Sequence, residues 1–309
     1  MKWFRTKSQR NECIGVEFTA EGVAFAHILR SAREQPCLVH CEFLPVDASL
    51  SAEDALRTRL AKLGLTGVTC NLVVGAGNYQ LLLGEAPKVP PEELAEALRW
   101  RIKDLISYPI TDAVLDAFLL PEDSARGTSR MAYAVVTQRS IVMQLLAQVK
   151  AAQLVLNAID IPELVLRNLA SSCCDTKRGI ALVKLGRGGG SLQIIRDGEL
   201  YLSRQFSLAY NAGLLDELPA ESLALELQRS LDYFERQMRQ SPPAHIYIFG
   251  ENVSSDKLTQ DIRNNLAVQI DVLDLESGLQ LGSDVQLHTL SLCHHAIGAA
   301  LREDVVGGL

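Results

Sequence analysis

The sequence predicts a duplicated α/β protein with a cleft between its halves, and three observations carry that expectation. Gly179–Ser207 reads as three short strands: an apolar run, Ile180–Leu185, then two alternating runs, Ser191–Arg196 and Glu199–Phe206. Gly186–Gly190 and Asp197-Gly198 join them, and Asp-Gly between alternating runs is a strong hairpin signal. Cys13–Val39 shows the same strand–turn–strand–turn–strand pattern about half a chain earlier, as a duplicated domain would. Finally, 309 residues are more than one core comfortably serves. The glycine-rich turn at 186–190 has two readings. Its backbone N–H groups can converge on a phosphate, or it is a plain hairpin.

Composition narrows the class. Apolar residues make up 48% and charged residues 22%, as in a water-soluble globular protein. A net charge of −7 argues against a nucleic-acid binder. No apolar run approaches the roughly 20 residues of a membrane span. The opening MKWFRTKSQR is basic without a following apolar core, so a signal peptide is not expected and the cytoplasm is. Its Lys2, Arg5, Lys7 and Arg10 flank Trp3 and Phe4, a pattern that rests on an anionic membrane or simply frays in water. Seven scattered cysteines fit reduced thiols. Cys37 and Cys41 in one strand are expected to share a face, with no second ligand pair at zinc spacing and hence no metal site.

Taken in order, Ser51-Ala-Glu-Asp54 outlines a capping box opening a helix that Gly64 closes. Val68–Val74 and Tyr79–Leu83 read as strands. After the prolines at 87–90, Pro91 opens a helix with Leu94, Leu98, Ile102 and Leu105 on one stripe, stopped by Pro109. Ala113–Leu120 and Met131–Thr137 pair across a polar loop, so this section is a small α+β insertion. Arg139–Lys150 is a helix, Val155–Ile159 a strand and Pro162–Ala170 a helix between the halves. Beyond the second three-strand unit come a helix over Glu221–Arg239, a strand over His245–Phe249, a helix over Ser255–Asn265 and a strand over Val268–Leu273. Ser291–Arg302 is a closing helix whose small residues let it approach Pro162–Ala170 closely. His294 and His295 face about 100° apart there, so one packed and one exposed histidine are expected rather than a chelating pair.

This order of elements, twice over with an insertion in the first copy, resembles the actin-like ATPase fold: duplicated RNase H-like domains with an inserted α+β subdomain. Within it the chain is similar to the PilM family, the cytoplasmic actin-like proteins of type IV pilus assembly. The similarity rests on Ile14–Ile28, on Leu98–Leu119 (LRWRIKDLISYPITDAVLDAFL), on Tyr133–Ala170 with its AIDIPELVLRNLA, on Leu225–Gly250 with its ELQRSLDYFERQ and HIYIFG, and on the closing CHHAIGAALRE. It implies a basic tail at 1–10, a first domain at 11–160 with the insertion at about 87–137, and a connecting helix at 161–178. The second domain then covers 179–290, and 291–309 form a helix returning to the junction.

The resemblance also locates a nucleotide cleft and shows where the chain departs from it. Glu17 and Thr19 stand where the family has the Asp and Gly of an Asp-x-Gly, and Ala24 where it has a Lys, so Thr19 brings a Cβ to where a phosphate would approach. Lys184 replaces the Asp that holds metal through water, and ammonium has no acceptor for that. Glu251 follows Gly250 where glycines flank the adenosine. Gly186, Gly188, Gly189, Gly190 and Ser191 remain, so weak ATP binding stays open while metal-assisted hydrolysis is not supported. The expectation is a non-enzymatic, cytoplasmic scaffold peripheral to the inner membrane, needing no cofactor. Its implied partner is the tail of a PilN-like bitopic protein, held as an extended peptide between Tyr79–Leu83 (Tyr79 and Leu81 first) and the helix bearing Arg99, Trp100 and Lys103. Contact with the pilus motor ATPase, and with the membrane indirectly or through Met1–Arg10, completes the implied partners. The alternative is an ATP-binding switch with Glu17 for Asp and Lys184 on phosphate. A sugar kinase on this fold lacks its Asp, since Val73–Gly77 offers none and Asp112 and Asp116 read as turn and strand-edge residues.

Overall fold

The computed structural model describes residues 12–31, 34–46, 50–124, 130–258 and 260–303, so the basic tail at 1–10 and the last six residues lie outside the described residues. In chain order the first half contains β1 (Glu12–Phe18), β2 (Gly22–Leu29), β3 (Cys37–Pro45), α1 (Ala52–Lys62), β4 (Thr69–Val73), β5 (Tyr79–Glu85), α2 (Leu94–Ile102), β6 (Ala113–Leu119), β7 (Met131–Gln138), α3 (Arg139–Ala151), β8 (Val155–Asp160) and α4 (Pro162–Cys173). The second contains β9 (Ile180–Gly186), β10 (Gly189–Arg196), β11 (Glu199–Ser207), α5 (Ala220–Asp232), β12 (His245–Gly250), α6 (Gln260–Asn264), β13 (Gln269–Val272), β14 (Gln280–Leu281) and α7 (Leu287–Ala300).

The duplication is written in the sheets. The first runs β14-β3-β2-β1-β4-β8 and the second β11-β10-β9-β12-β13. In each, the first three strands of the copy pair antiparallel and the next two join them parallel. The parallel strands are covered on both faces, which is why Ile14–Glu17, Cys70–Val73 and Ile180–Val183 are continuously buried rather than alternating. Ser51 caps α1 by accepting from the Asp54 N–H at 3.1 Å, as the capping box anticipates.

The insertion is a third sheet, β5-β7-β6, with α2 against one face. Leu94, Leu98 and Ile102 of α2 cluster with Ala132, Ala134 and Val136. The opposite parity of β7 faces the second domain. There the Tyr133 hydroxyl accepts from the Ser203 N–H, Tyr201 donates to Asp123 at 2.8 Å, and Gln240 donates to the Asp123 carbonyl. The insertion thus bridges the two halves.

Helix α7 is the other bridge. It crosses β1 at Gly15, where a Cβ would meet the Ala296 carbonyl oxygen at 1.8 Å, and crosses α4 at Gly298, where a Cβ would meet the Val165 carbonyl oxygen at 2.1 Å. The small-residue reading of this helix is borne out. Its C-terminal carbonyls accept from Arg30, which donates to Ala300 O and Arg302 O, and Arg302 forks onto buried Asp160 at 2.7 and 2.8 Å. A cation over a helix C-terminus is the favoured arrangement.

Several boundaries differ from the sequence reading. The closing helix begins at Leu287, and the chain has already returned to the first sheet at β14, so the second domain ends well before residue 290. Pro91–Glu93 is a 3₁₀ turn ahead of α2, and the long helix after Pro219 is α-helical only to Asp232 before a π-helical turn, Tyr233–Gln237. The helix expected over 255–265 is broken: Ser255–Lys257 is a 3₁₀ turn, and Leu258 leaves the helical region with ψ 74°. Cys37 and Cys41 do not share a face. A bulge opposite His27/Ile28 sets Cys41 against Ala26 but Cys37 against Leu29, inverting the alternation between them. Among the described residues no group of three or more His, Cys, Asp or Glu is placed to hold a metal ion, and no helix is long and apolar enough to cross a membrane.

Candidate functional site

The two hairpins meet at the junction of the halves, and the residues singled out there meet each other. Glu17 lies near the end of β1 and Lys184 lies in β9. Between them stands His295 of α7, whose Nδ1 is 2.7 Å from Glu17 Oε1 and whose Nε2 is 3.0 Å from Lys184 Nζ. With Nδ1–H donated to the carboxylate, Nε2 is the acceptor for the lysine amine, so this tautomer satisfies all three groups. Glu17 and His295 are each less than a tenth exposed. Burial pushes the Glu17 carboxyl up, but His295 and Lys184 outweigh it and hold it below its ordinary value. Burial pushes the Lys184 amine down, with Glu17 opposing.

Both histidines of α7 are buried, against the expectation of one packed and one exposed. The reason is that over Cys293–Ala300 α7 is enclosed by β1–β3 on one side and α4 on the other, which leaves this part of the helix no wet face. His294 lies edge-on to Phe249, ring centroids 4.5 Å apart, and its Nδ1 donates to Ser291 O at 2.9 Å. Its desolvation, with Lys184 adding to it, pushes the pKa down from 6.5 to about 3. Such a group binds its proton more weakly folded than unfolded, so stability is full above pH 6.5 and falls as pH drops toward 3. Glu17 adds a second loss below pH 4.5, where the unfolded chain protonates before its lowered folded carboxyl does. The melting temperature should therefore start falling below about pH 6.5, and His294→Gln should make that slope shallower. An unchanged slope in the variant would refute the assignment.

The turns are closed on themselves. The Thr19 hydroxyl accepts the N–H groups of Glu21 and Gly22, both at 3.2 Å, and donates to Gly22 O. Gly188, at φ +80°, donates its N–H to Tyr210 O at 2.8 Å. Gly189, Gly190 and Ser191 are not turn residues but the start of β10. Cβ atoms at Gly189 and Gly190 would strike Phe206 O at 2.4 Å and Lys184 O at 2.5 Å, so close strand packing accounts for both glycines. Gly186 ends β9 in open space. Gly250, at φ +147°, lets its chain pass Leu185 O, where a Cβ would lie at 2.1 Å. Ala24 is buried in the core. A cavity of about 530 Å³ remains over Lys184 and His295, walled by Thr19, Gly75, Asn78 and Gln144.

The partner residues separate into two places. Tyr79 and Leu81 line a cleft of about 930 Å³ whose far wall is β11 of the second domain and not α2. Tyr79 donates to buried Glu163 at 2.6 Å, and burial followed by that carboxylate pushes its pKa up. Arg99 and Trp100 lie on α2, and Lys103 follows at its end. Arg99 pairs with Glu96 at 2.9 Å, and Trp100 is 65% exposed. The helix α2 packs on the face of the inserted sheet that carries Leu82, whereas Leu81 packs on the opposite face against the domain cores, so these side chains and Leu81 do not bound one groove.

The fold is the actin-like ATPase fold: two RNase H-like domains of identical strand order with an α+β insertion in the first. No family model and no curated protein matches the chain. Among solved structures, a chain of a PilM–PilN type IV pilus biogenesis complex is 20% identical, with a TM-score of 0.69 over 94% of this chain and 98% of that one. The cytoplasmic domain of EpsL, an inner membrane component of the type II secretion system of Vibrio cholerae, is 12% identical, with a TM-score of 0.50 over 96% and 98%.

Proposed function

We propose that the protein is a cytoplasmic, actin-like scaffold of type IV pilus assembly, peripheral at the inner membrane, that docks the tail of a PilN-like bitopic protein. The observation that carries this reading is the overlap with the PilM–PilN chain at a TM-score of 0.69 across nearly the whole of both chains. As part of this reading we propose an MSHA-type pilus as its setting and a role like that of MshI. Contact with the motor ATPase, and with the membrane through Met1–Arg10 or indirectly, belongs to the same reading.

We further propose that it works without hydrolysing ATP. Groups that would meet a triphosphate and its metal are spent on one another: Glu17 on His295, Lys184 on His295, the first turn's N–H groups on Thr19, and Gly188 on Tyr210. Hydrolysis needs free acceptors to order a metal and its water. The alternative reading, an ATP-binding switch, draws on the 530 Å³ cavity over Lys184. A ligand at 100 times its Kd stabilises by about 2.7 kcal/mol, so titrating the full chain with ATP, with and without Mg²⁺, separates the two. No magnesium-dependent shift in melting temperature is expected at millimolar ATP, and a clear one would favour the switch. The scaffold itself is tested by co-purification with the cytoplasmic tails of candidate bitopic partners. Retention of one tail is expected, and failure of every tail would overturn the reading.

A further inference from the structure

The 930 Å³ cleft shares Tyr79 and Leu81 with the groove expected for the tail, but its other wall is the second domain. Its size lies in the range of ligand clefts, roughly 300–1,000 Å³. Both walls are edge strands, β5 of the inserted sheet and β11 of the second domain. Paired edges leave one row of main-chain groups open, a template for another strand. On β11 the Ser203 N–H points away from β10 to reach the Tyr133 hydroxyl at 3.1 Å. By the period of two, the N–H and C=O of Gln205 point the same way, and among the described residues nothing bonds them.

Two more features mark the cleft. The π-helical turn that ends α5 begins at Tyr233, a lining residue, and so sets this wall of the cleft. The charge is also one-sided. Arg204 spends one donor on Ser230 Oγ at 3.2 Å and joins no ion pair among the described residues. Arg229 lines the cleft from a surface pair with Glu226. The cleft's acidic member, Glu163, is already held by Tyr79.

We propose that this cleft binds an extended peptide that adds as a strand to the open edge of β11, its apolar residues on Leu81, Leu83 and Tyr133 and a carboxylate side chain on Arg204. Main-chain pairing gives affinity in this mode and alternate side-chain pockets give selectivity. The inference is independent of the pilus partner, because it concerns the face between the insertion and the second domain.

The test is selection of a random heptapeptide phage library on the full chain, followed by fluorescence polarisation of the enriched peptides. Enriched sequences should alternate apolar residues and carry Asp or Glu. Gln205→Pro removes the open N–H from an edge strand that tolerates proline, and Arg204→Glu reverses the charge. Each should weaken binding at least about tenfold. If Gln205→Pro lowers the melting temperature, Arg204→Glu decides alone. No enrichment, enriched peptides without acidic residues, or affinities indifferent to both substitutions would each overturn the proposal.

Discussion

Gly15→Ala is expected to cost about 3 kcal/mol or more, at the upper end of what overpacking does. The added Cβ would lie 1.8 Å from Ala296 O, 2.8 Å from Ala296 C and 2.7 Å from Ala300 N. All three are helix backbone, so no rotamer change relieves them and α7 must lift from β1. Lifting α7 also disturbs its far side, where Gly298 lies against Val165 O and Asn168 donates to Gly298 O at 3.2 Å. A loss of that size lowers the melting temperature by roughly 6–12 °C, at about 2–4 °C per kcal/mol for a large domain. Gly84→Ala is the control. A Cβ there meets nothing within 4 Å, and its melting temperature should stay close to wild type. A Gly15→Ala variant that melts with the control would mean that α7 has room to move over the sheet.

The same helix explains what was legible in the sequence and what was not. The duplication, the inserted α+β section and the close α4–α7 crossing all followed from local signals: alternating strands, Asp197-Gly198, and small residues on the last helix. Glu17 and Lys184 stood out because they replace other residue types in a resembling pattern. His295 did not, because its meaning lies in a partner 278 residues away, which no periodicity reports. One signal was available. Apart from its two histidines, Cys293–Ala300 is apolar or small on every side, which marks a stretch of helix without a wet face and therefore buries both histidines. The run of glycines at 186–190 misled for the opposite reason. Glycine is silent on alternation, so a strand beginning at Gly189 looked like part of the turn. Sequence puts Trp100 and Leu81 in one groove because it places a strand and a helix in one subdomain without saying which face of the sheet the helix covers.

His295→Ala should be the most damaging single substitution at the junction. It leaves the Glu17 carboxylate and the Lys184 amine in a cavity that neither can leave, each without the group that now satisfies it. Breaking a buried charged network by removing one member costs about 3–5 kcal/mol. Replacing the whole network is a different experiment. Glu17→Leu, Lys184→Met and His295→Phe together remove the charges as well as their partners, and apolar replacements of buried ion networks are often neutral or stabilising. The triple variant should therefore melt near or above wild type, while His295→Ala melts well below it. If the charges serve only to fill and tie the junction, the triple variant will still retain the bitopic tail on co-purification. A triple variant that is stable yet loses the tail would show that the network transmits a state of the cleft to the docking face. The scaffold would then be a switched one, set by the Glu17–His295–Lys184 network.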